Sequence, residues 1–186
     1  MPLIWISGPV LAGPVSPTLE LLAQEAWQTS SIVHESTVIT SHSVSSGIVI
    51  DTAHTGRVTF STASGHGFGT FSSLAVTGLG YPLIGAGLFD EVDLSAQVAP
   101  GKASNVVAGS ATLTLWLTET GLTTDLGRLP FDAAIGGTIS TGAAVTYKTY
   151  VDPADDPFGE SVPLTNSASL TGNPFAWSSH SRKLLQ

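Results

Sequence analysis

The chain contains no cysteine and few charged residues. Among its 186 residues there is no Cys, and Asp, Glu, Lys and Arg together make up 11%. The absence of cysteine excludes disulfide bonds, thiolate metal sites and a cysteine nucleophile. Because an average soluble domain carries about 25% charged residues, the surface must consist largely of Ser, Thr, Gly and Asn. That composition is typical of exported bacterial proteins, particle coats and β-sandwiches.

Positive charge is especially scarce. Six Lys and Arg residues stand against 14 Asp and Glu residues, giving a net charge of −8. Nucleic-acid binding needs clustered Lys and Arg to neutralise phosphates, so we expect no nucleic-acid partner. No apolar run reaches the roughly 18 residues that a membrane span requires, so we expect no membrane insertion. The apolar first 14 residues lack a basic leader and are broken by prolines, which predicts no signal peptide in this sequence.

One segment near the N-terminus carries a helical pattern. Apolar residues recur there at spacings of three and four: Leu19, Leu22, Ala23 and Ala26. A Ser-Pro pair precedes them, as is common at the first turn of a helix. The pattern predicts a short helix over residues 17–28, within an N-terminal arm formed by residues 1–30.

From residue 31 onward the hydrophobic period changes to two. Runs rich in Val, Ile, Thr and aromatic residues occur at 32–40, 47–52, 57–62, 70–77, 93–98, 111–118 and 143–151. Such runs, separated by Gly, Pro, Asn or Asp, predict an antiparallel all-β fold. In the clearest run, Leu113, Leu115 and Leu117 point to one face and Trp116 to the other. We predict a β-sandwich or jelly roll over residues 31–186.

No recognised catalytic motif is present. The five histidines and many serines occur without a Gly-x-Ser-x-Gly elbow or a His-Glu-x-x-His pair. The sequence therefore predicts a protein that is not an enzyme.

The acidic loop after the last long strand run is the candidate metal site. Asp152, Asp155 and Asp156 lie within five residues, between and beside two prolines. Ca²⁺ takes six to eight oxygen ligands in irregular loops, so the loop is a candidate calcium site, and calcium is the only cofactor considered. The alternative is that these aspartates form turns and face water.

The aromatic residues suggest a second kind of site. Trp116, on the strand face opposite the leucines, is the leading candidate for a surface on which a sugar ring stacks. The alternative is that Trp116 is packing material.

Residues 93–159 resemble part of a group of exported bacterial β-proteins of the PEP-CTERM-associated type. The resemblance lies in Asp93-Leu-Ser, in 111–122 (ATLTLWLTETGL), in 134–138 (AIGGT) and in 145–159 (VTYKTYVDPADDPFG). It covers little more than a third of the chain and implies an exported or surface-associated protein without assigned activity. The sorting tail that defines the group is not found in the sequence, and no catalytic residue is carried over.

The function expected from these features is that of a non-enzymatic extracellular or cell-surface domain with structural or adhesive work. Its ligand is unknown, and self-association or a surface polysaccharide are the partners considered. The alternatives are a phage virion structural protein, such as a capsid decoration or tail component, and a carbohydrate-binding module.

If the acidic loop binds calcium, the metal will stabilise the folded state by mass action. We expect the melting temperature to rise with calcium up to roughly millimolar concentration and to be insensitive in Asp155→Asn/Asp156→Asn. Differential scanning calorimetry measures both. A parent protein that shows no rise would leave the aspartates as turn formers.

Overall fold

The described part of the chain is built of β-strands. The computed structural model describes residues 17–25, 33–34, 36–39, 46–84, 91–99, 112–121 and 131–181, which contain strands and no helix. The strands are β1 (Thr18–Glu25), β2 (Val33–His34), β3 (Ser36–Ile39), β4 (Ser46–Ile50), β5 (Arg57–Thr62), β6 (Ser73–Leu79), β7 (Asp93–Ala99), β8 (Leu113–Thr120), β9 (Phe131–Gly137), β10 (Lys148–Val151), β11 (Val162–Asn166) and β12 (Phe175–Ser181). The predicted all-β fold is confirmed.

Two four-stranded sheets form the main body. Sheet A has the order β2-β4-β1-β8 and sheet B the order β3-β5-β6-β7. Their pairings are antiparallel except for β2 with β4 and β3 with β5, which are parallel. Two smaller antiparallel sheets pair β10 with β11 and β9 with β12.

The core lies between the inner faces of sheets A and B. The buried apolar side chains come from β1, β4, β5, β6 and the β5–β6 connection: Leu19, Leu21, Ala23, Val49, Val58, Phe60, Phe68, Leu74 and Val76. Leu113, Leu115 and Leu117 of β8 are partly buried against them. Their predicted common orientation toward the core is confirmed, and the packing of two sheets through such faces makes a β-sandwich.

The predicted helix over residues 17–28 is wrong over Thr18–Glu25, which form β1; residues 26–28 lie outside the described part. The same sequence also alternates, because Leu19, Leu21 and Ala23 are apolar at every second position and are all buried. A strand with a neighbour on each side satisfies its backbone polar groups along both edges. β1 has β4 on one side and β8 on the other, and this tertiary pairing outweighs local helix propensity.

A glycine on β4 makes room for Phe60, one of the two phenylalanines of the core. A Cβ at Gly47 would lie 2.4 Å from Cε2 of Phe60. The Phe60 ring also packs edge-on against Phe68, with centroids 5.3 Å apart and an interplanar angle of 89°. The absence of a side chain at Gly47 therefore allows Phe60 to fill the space between the sheets.

Buried carboxylates fix two connections of the sandwich. Asp51, at the end of β4, accepts hydrogen bonds at Oδ1 from the backbone N and Oγ1 of Thr55, both at 2.9 Å. Its Oδ2 accepts from the backbone N of Gly56 at 2.5 Å. Glu25, at the end of β1, accepts from the backbone N of Thr70 at 3.1 and 3.2 Å and from its hydroxyl. Since a buried polar group costs free energy unless it is hydrogen-bonded, these carboxylates specify the two loop conformations.

The strand assignment of β1 can be tested with two adjacent leucines. Leu21 is fully buried, whereas Leu22 is half-buried on the opposite side of the strand. We expect Leu21→Ala to lower the free energy of unfolding by about 2–5 kcal/mol, because it leaves a cavity in the core. Leu22→Ala should lower it by about 1 kcal/mol or less. Urea denaturation measures both, and equal losses would contradict the alternation of β1.

Candidate binding face on sheet A

The outer face of sheet A carries an apolar row across three strands. Cross-strand partners in a β-sheet point to the same face. Leu22 of β1 is the register partner of Ile48 on β4 and of Trp116 on β8. All three side chains are half-buried, so an aromatic ring and two aliphatic chains remain accessible side by side.

Polar residues border this row on both sides. Toward one end, Glu20 on β1 pairs with Thr118 on β8, and toward the other, Gln24 pairs with Thr114. We define the sheet A face by the outward side chains of these rows: Glu20, Leu22, Gln24, Ile48, Ile50, Thr114, Trp116 and Thr118. It joins an apolar strip to a carboxylate, an amide and two hydroxyls.

The indole of Trp116 is oriented by a residue from another part of the chain. Its Nε1 donates a hydrogen bond to Oε1 of Glu160 at 3.3 Å. Glu160 lies in the loop between β10 and β11 and is exposed. Because a buried or half-buried Trp N–H usually has a hydrogen-bond partner, we interpret Glu160 as the group that favours this orientation of the Trp116 ring.

Glu20 is the partly desolvated acid of the face. Burial raises the pKa of its carboxyl above the usual value of a glutamate, because desolvation disfavours the charged form. The contribution of Glu20 to the free energy of unfolding is therefore fully present at low pH, where the carboxyl is protonated in both states. It is lost as the pH rises through the raised pKa of the folded state. A cationic group beside Glu20 would have the opposite effect and stabilise its carboxylate.

The predicted calcium residues lie in the loop that also supplies Glu160, and each has a different role. Oδ1 of Asp152 accepts from the backbone N of Ala154 at 3.0 Å and from Oγ of Ser161 at 2.7 Å. A Cβ at Gly159 would lie 1.7 Å from Oδ2 of Asp152, so the carboxylate requires glycine at that position. Asp152 therefore connects the beginning of the loop to its end at Ser161.

Asp155 connects the same loop to the end of β8. It adopts a φ of 59°, a left-handed conformation that aspartate tolerates better than most residues. Its carboxylate accepts from the backbone N of Gly121 at 2.8 and 3.1 Å. Asp156 is exposed, and its carbonyl oxygen accepts from the backbone N of Gly159 at 3.0 Å.

The three aspartates therefore do not converge on one point with their carboxylates. Within the described ranges, no group of three or more His, Asp or Glu side chains is arranged to hold a metal ion. Calcium binding by Asp152, Asp155 and Asp156 stays a prediction. Turn formation, the alternative reading, accounts for the contacts that Asp152 and Asp155 make.

A histidine–aspartate pair lies on the small sheet of β9 and β12. Nδ1 of His180 is hydrogen-bonded to Oδ1 of Asp132, its direct cross-strand partner. Both side chains are exposed, at 47% and 78%. Interacting side chains at directly opposite positions of two strands contribute roughly 0.2–1 kcal/mol to the stability of a sheet. We therefore interpret the pair as a contact that stabilises the pairing of β9 with β12.

A second tryptophan, Trp177, lies on the other side of β12. The ring of Trp177 packs edge-on against Tyr147, with centroids 6.0 Å apart. Burial and, second, the negative charge of Asp93 raise the pKa of the Tyr147 phenol. Trp177 thus packs against a neighbouring aromatic ring, whereas Trp116 is hydrogen-bonded to a carboxylate.

The outer side of sheet B bears a shallow depression of about 310 Å³. Its polar lining comes from alternating positions of β5, β6 and β7: Thr59, Ser61, Thr77, Ser95 and Gln97. This surface offers hydroxyl and amide groups but no aromatic side chain from its outward positions. The sheet A face is therefore the stronger candidate for ligand binding.

The fold and this face define an all-β sandwich with a tryptophan-bearing outer surface. The chain matches no family model, no curated protein and no solved structure. The resemblance to PEP-CTERM-associated proteins stays a prediction. Within the described ranges, no helix is long and apolar enough to cross a membrane.

Sequence reasoning identified Trp116 but missed the residues around it. Glu20, Leu22 and Gln24 lie in the segment predicted as a helix, where they would not share a face with β8. The alternation of β1 was the signal that could have grouped them. The contact from Glu160 joins residues 44 positions apart, and no local pattern marks it.

The attachment of the β10–β11 loop to β8 can be tested at Asp155. We expect Asp155→Ala to accelerate hydrogen exchange of the Gly121 amide by about tenfold, near the lower end of what a hydrogen bond to a charged group supports. Asp156→Ala is the matched control, because it removes an exposed carboxylate from the same loop. Amide exchange followed by NMR measures both, and equal protection of Gly121 in the two variants would contradict the contact.

Proposed function

We propose that this protein is a non-enzymatic adhesive domain that works outside the cell or at the cell surface and binds carbohydrate through the sheet A face. The observation that carries the proposal is the half-buried row formed by Leu22, Ile48 and Trp116. On β1 and β8 it is bordered by polar side chains: Glu20 and Thr118 on one side, Gln24 and Thr114 on the other. A ligand for such a surface must offer an apolar side and a polar rim.

A pyranose ring has that chemistry, because its C–H groups form apolar patches and its hydroxyls project around the edge. The indole of Trp116 supplies an aromatic surface for the C–H groups. Gln24, Thr114 and Thr118 supply donors and acceptors for hydroxyls. The few polar groups around an apolar centre correspond to the usual composition of a small-ligand site.

The position of the face on regular strands supports a binding role. β1 is paired with β8 along its whole length and with β4 over Glu20–Gln24, and sites on such elements are more precise than sites on loops. Glu160 favours one orientation of the indole. A rigid surface loses little conformational entropy when it binds a ligand, which suits adhesion to a repeated polymer.

The proposed location rests on composition. A chain with 11% charged residues and no cysteine has a surface built largely from hydroxyl groups, as is common in exported β-domains. The same surface is compatible with close contact to a polysaccharide, because few charges need to be desolvated.

Binding of the labelled full chain to an array of cell-envelope and plant glycans tests the proposal. We expect the parent to bind at least one class of glycan and Trp116→Ala to lose about tenfold or more of that affinity, since aromatic contacts dominate such surfaces. Trp177→Ala is the matched control, because it removes a half-buried tryptophan from β12.

Thermal unfolding of each variant checks that the fold is retained. The proposal is overturned if the parent binds no glycan on the array. It is also overturned if Trp116→Ala binds as tightly as the parent, since the ligand would then lie elsewhere.

A further inference from the structure

We infer that the sheet A face selects saccharides that carry a positively charged amine, that is, 2-amino sugars with an unacetylated amino group. This inference rests on the proposed function and names the ligand class of the same face. It follows from the charges around Trp116.

Two carboxylates flank the indole. Glu160 is hydrogen-bonded to its Nε1 at 3.3 Å. Glu20 pairs with Thr118, which lies two residues beyond Trp116 on β8. Glu20 is thus the diagonal neighbour of Trp116. Diagonal neighbours on one face are about 7–8 Å apart at the backbone, within reach of long side chains. A ring stacked on Trp116 would therefore have two carboxylates in its neighbourhood.

The residues that define the sheet A face include no Lys or Arg to neutralise these acids. The chain as a whole carries a net charge of −8, so the wider field also attracts cations. An anionic polysaccharide would be repelled by Glu20 and Glu160, and a neutral one would leave the partly desolvated carboxylate of Glu20 without a counter-charge. An ammonium group is complementary to both acids.

The aromatic ring reinforces this preference. A cation near the face of a tryptophan is attracted by the ring quadrupole. The amine of a 2-amino sugar is attached directly to the pyranose ring, so stacking of the ring on Trp116 brings the ammonium close to the carboxylates at the same time. The hydroxyls of the sugar remain for Gln24 and Thr114.

A lysine-rich peptide is the other cationic partner with suitable charge, and the sheet A face favours the sugar. Lysine offers a flexible aliphatic stem and one ammonium group, which would make few hydrogen bonds to the hydroxyls of Thr114 and Thr118. A pyranose supplies polar groups around its whole edge. The saccharide therefore accounts for the polar rows as well as the acids.

The test compares two tetrasaccharides on the full chain by isothermal titration calorimetry at pH 6. One consists of glucosamine and the other of N-acetylglucosamine, which has the same ring without the charge. We expect the glucosamine tetrasaccharide to bind about tenfold tighter, and its affinity to fall with added salt because exposed ion pairs are screened. Trp116→Ala should weaken the binding of both.

Glu20→Gln separates charge from shape. We expect it to reduce the affinity for the glucosamine tetrasaccharide about fivefold or more, as for loss of a charged partner at a binding site, and to reduce the affinity for the acetylated one by a clearly smaller factor. Glu91→Gln, which removes an exposed glutamate just before β7, is the matched control and should have little effect on either.

The inference is overturned if the two tetrasaccharides bind equally and Glu20→Gln changes neither, a result that would leave the proposed carbohydrate-binding function standing. It is also overturned if tetralysine binds as tightly as the amino sugar with the same dependence on Trp116, since the charge alone would then be recognised. If neither tetrasaccharide binds, the inference fails, and the glycan array decides separately whether the proposed function fails with it.

Discussion

The two-sided burial of β1 is the constraint on which the rest of the structure depends. Its inward residues Leu19, Leu21 and Ala23 belong to the core, and its outward residues Glu20 and Leu22 belong to the sheet A face. Because side chains alternate along a strand, the register that fills the core also fixes which residues lie beside Trp116. A shift of β1 by one residue in its register would turn the core residues outward and the outward residues into the core.

Several acidic side chains mainly fix the conformations of loops in this weakly charged protein. Asp51 and Glu25 are buried and accept hydrogen bonds from loops that follow strands. Asp152 and Asp155 of the β10–β11 loop are not buried but also accept from backbone N–H groups, Asp152 from Ala154 in the same loop and Asp155 from Gly121 at the end of β8. Hydrogen bonds from backbone N–H groups to carboxylates are stronger than neutral ones. A few acids can therefore fix the loops of a sandwich that has little opportunity for ion pairs.

The β10–β11 loop links this structural role to the proposed binding role. Through Asp155 it is attached to Gly121 at the end of β8, and through Glu160 it contacts Trp116 on the same strand. The two contacts place one carboxylate at the edge of the sheet A face. If the proposed amino-sugar selectivity is correct, the loop contributes to recognition without leaving its structural position.

The sequence by itself determined the all-β class and the orientation of β8. The alternation in Leu113, Leu115, Leu117 and Trp116 is unambiguous, because every second residue is apolar and aliphatic over a whole strand. The period of two is a local property of the chain. It needs no knowledge of neighbours to be read correctly.

Only the tertiary structure decided the conformation of residues 18–25 and the composition of the candidate site. Leu19, Leu22 and Ala23 fit a helix and Leu19, Leu21 and Ala23 fit a strand, so the local pattern supports both. Pairing with β4 and β8 selects the strand, because it satisfies the backbone on both edges and buries one face. The grouping of Glu20 and Glu160 around Trp116 likewise depends on register and on a contact distant in sequence, which composition and spacing do not contain.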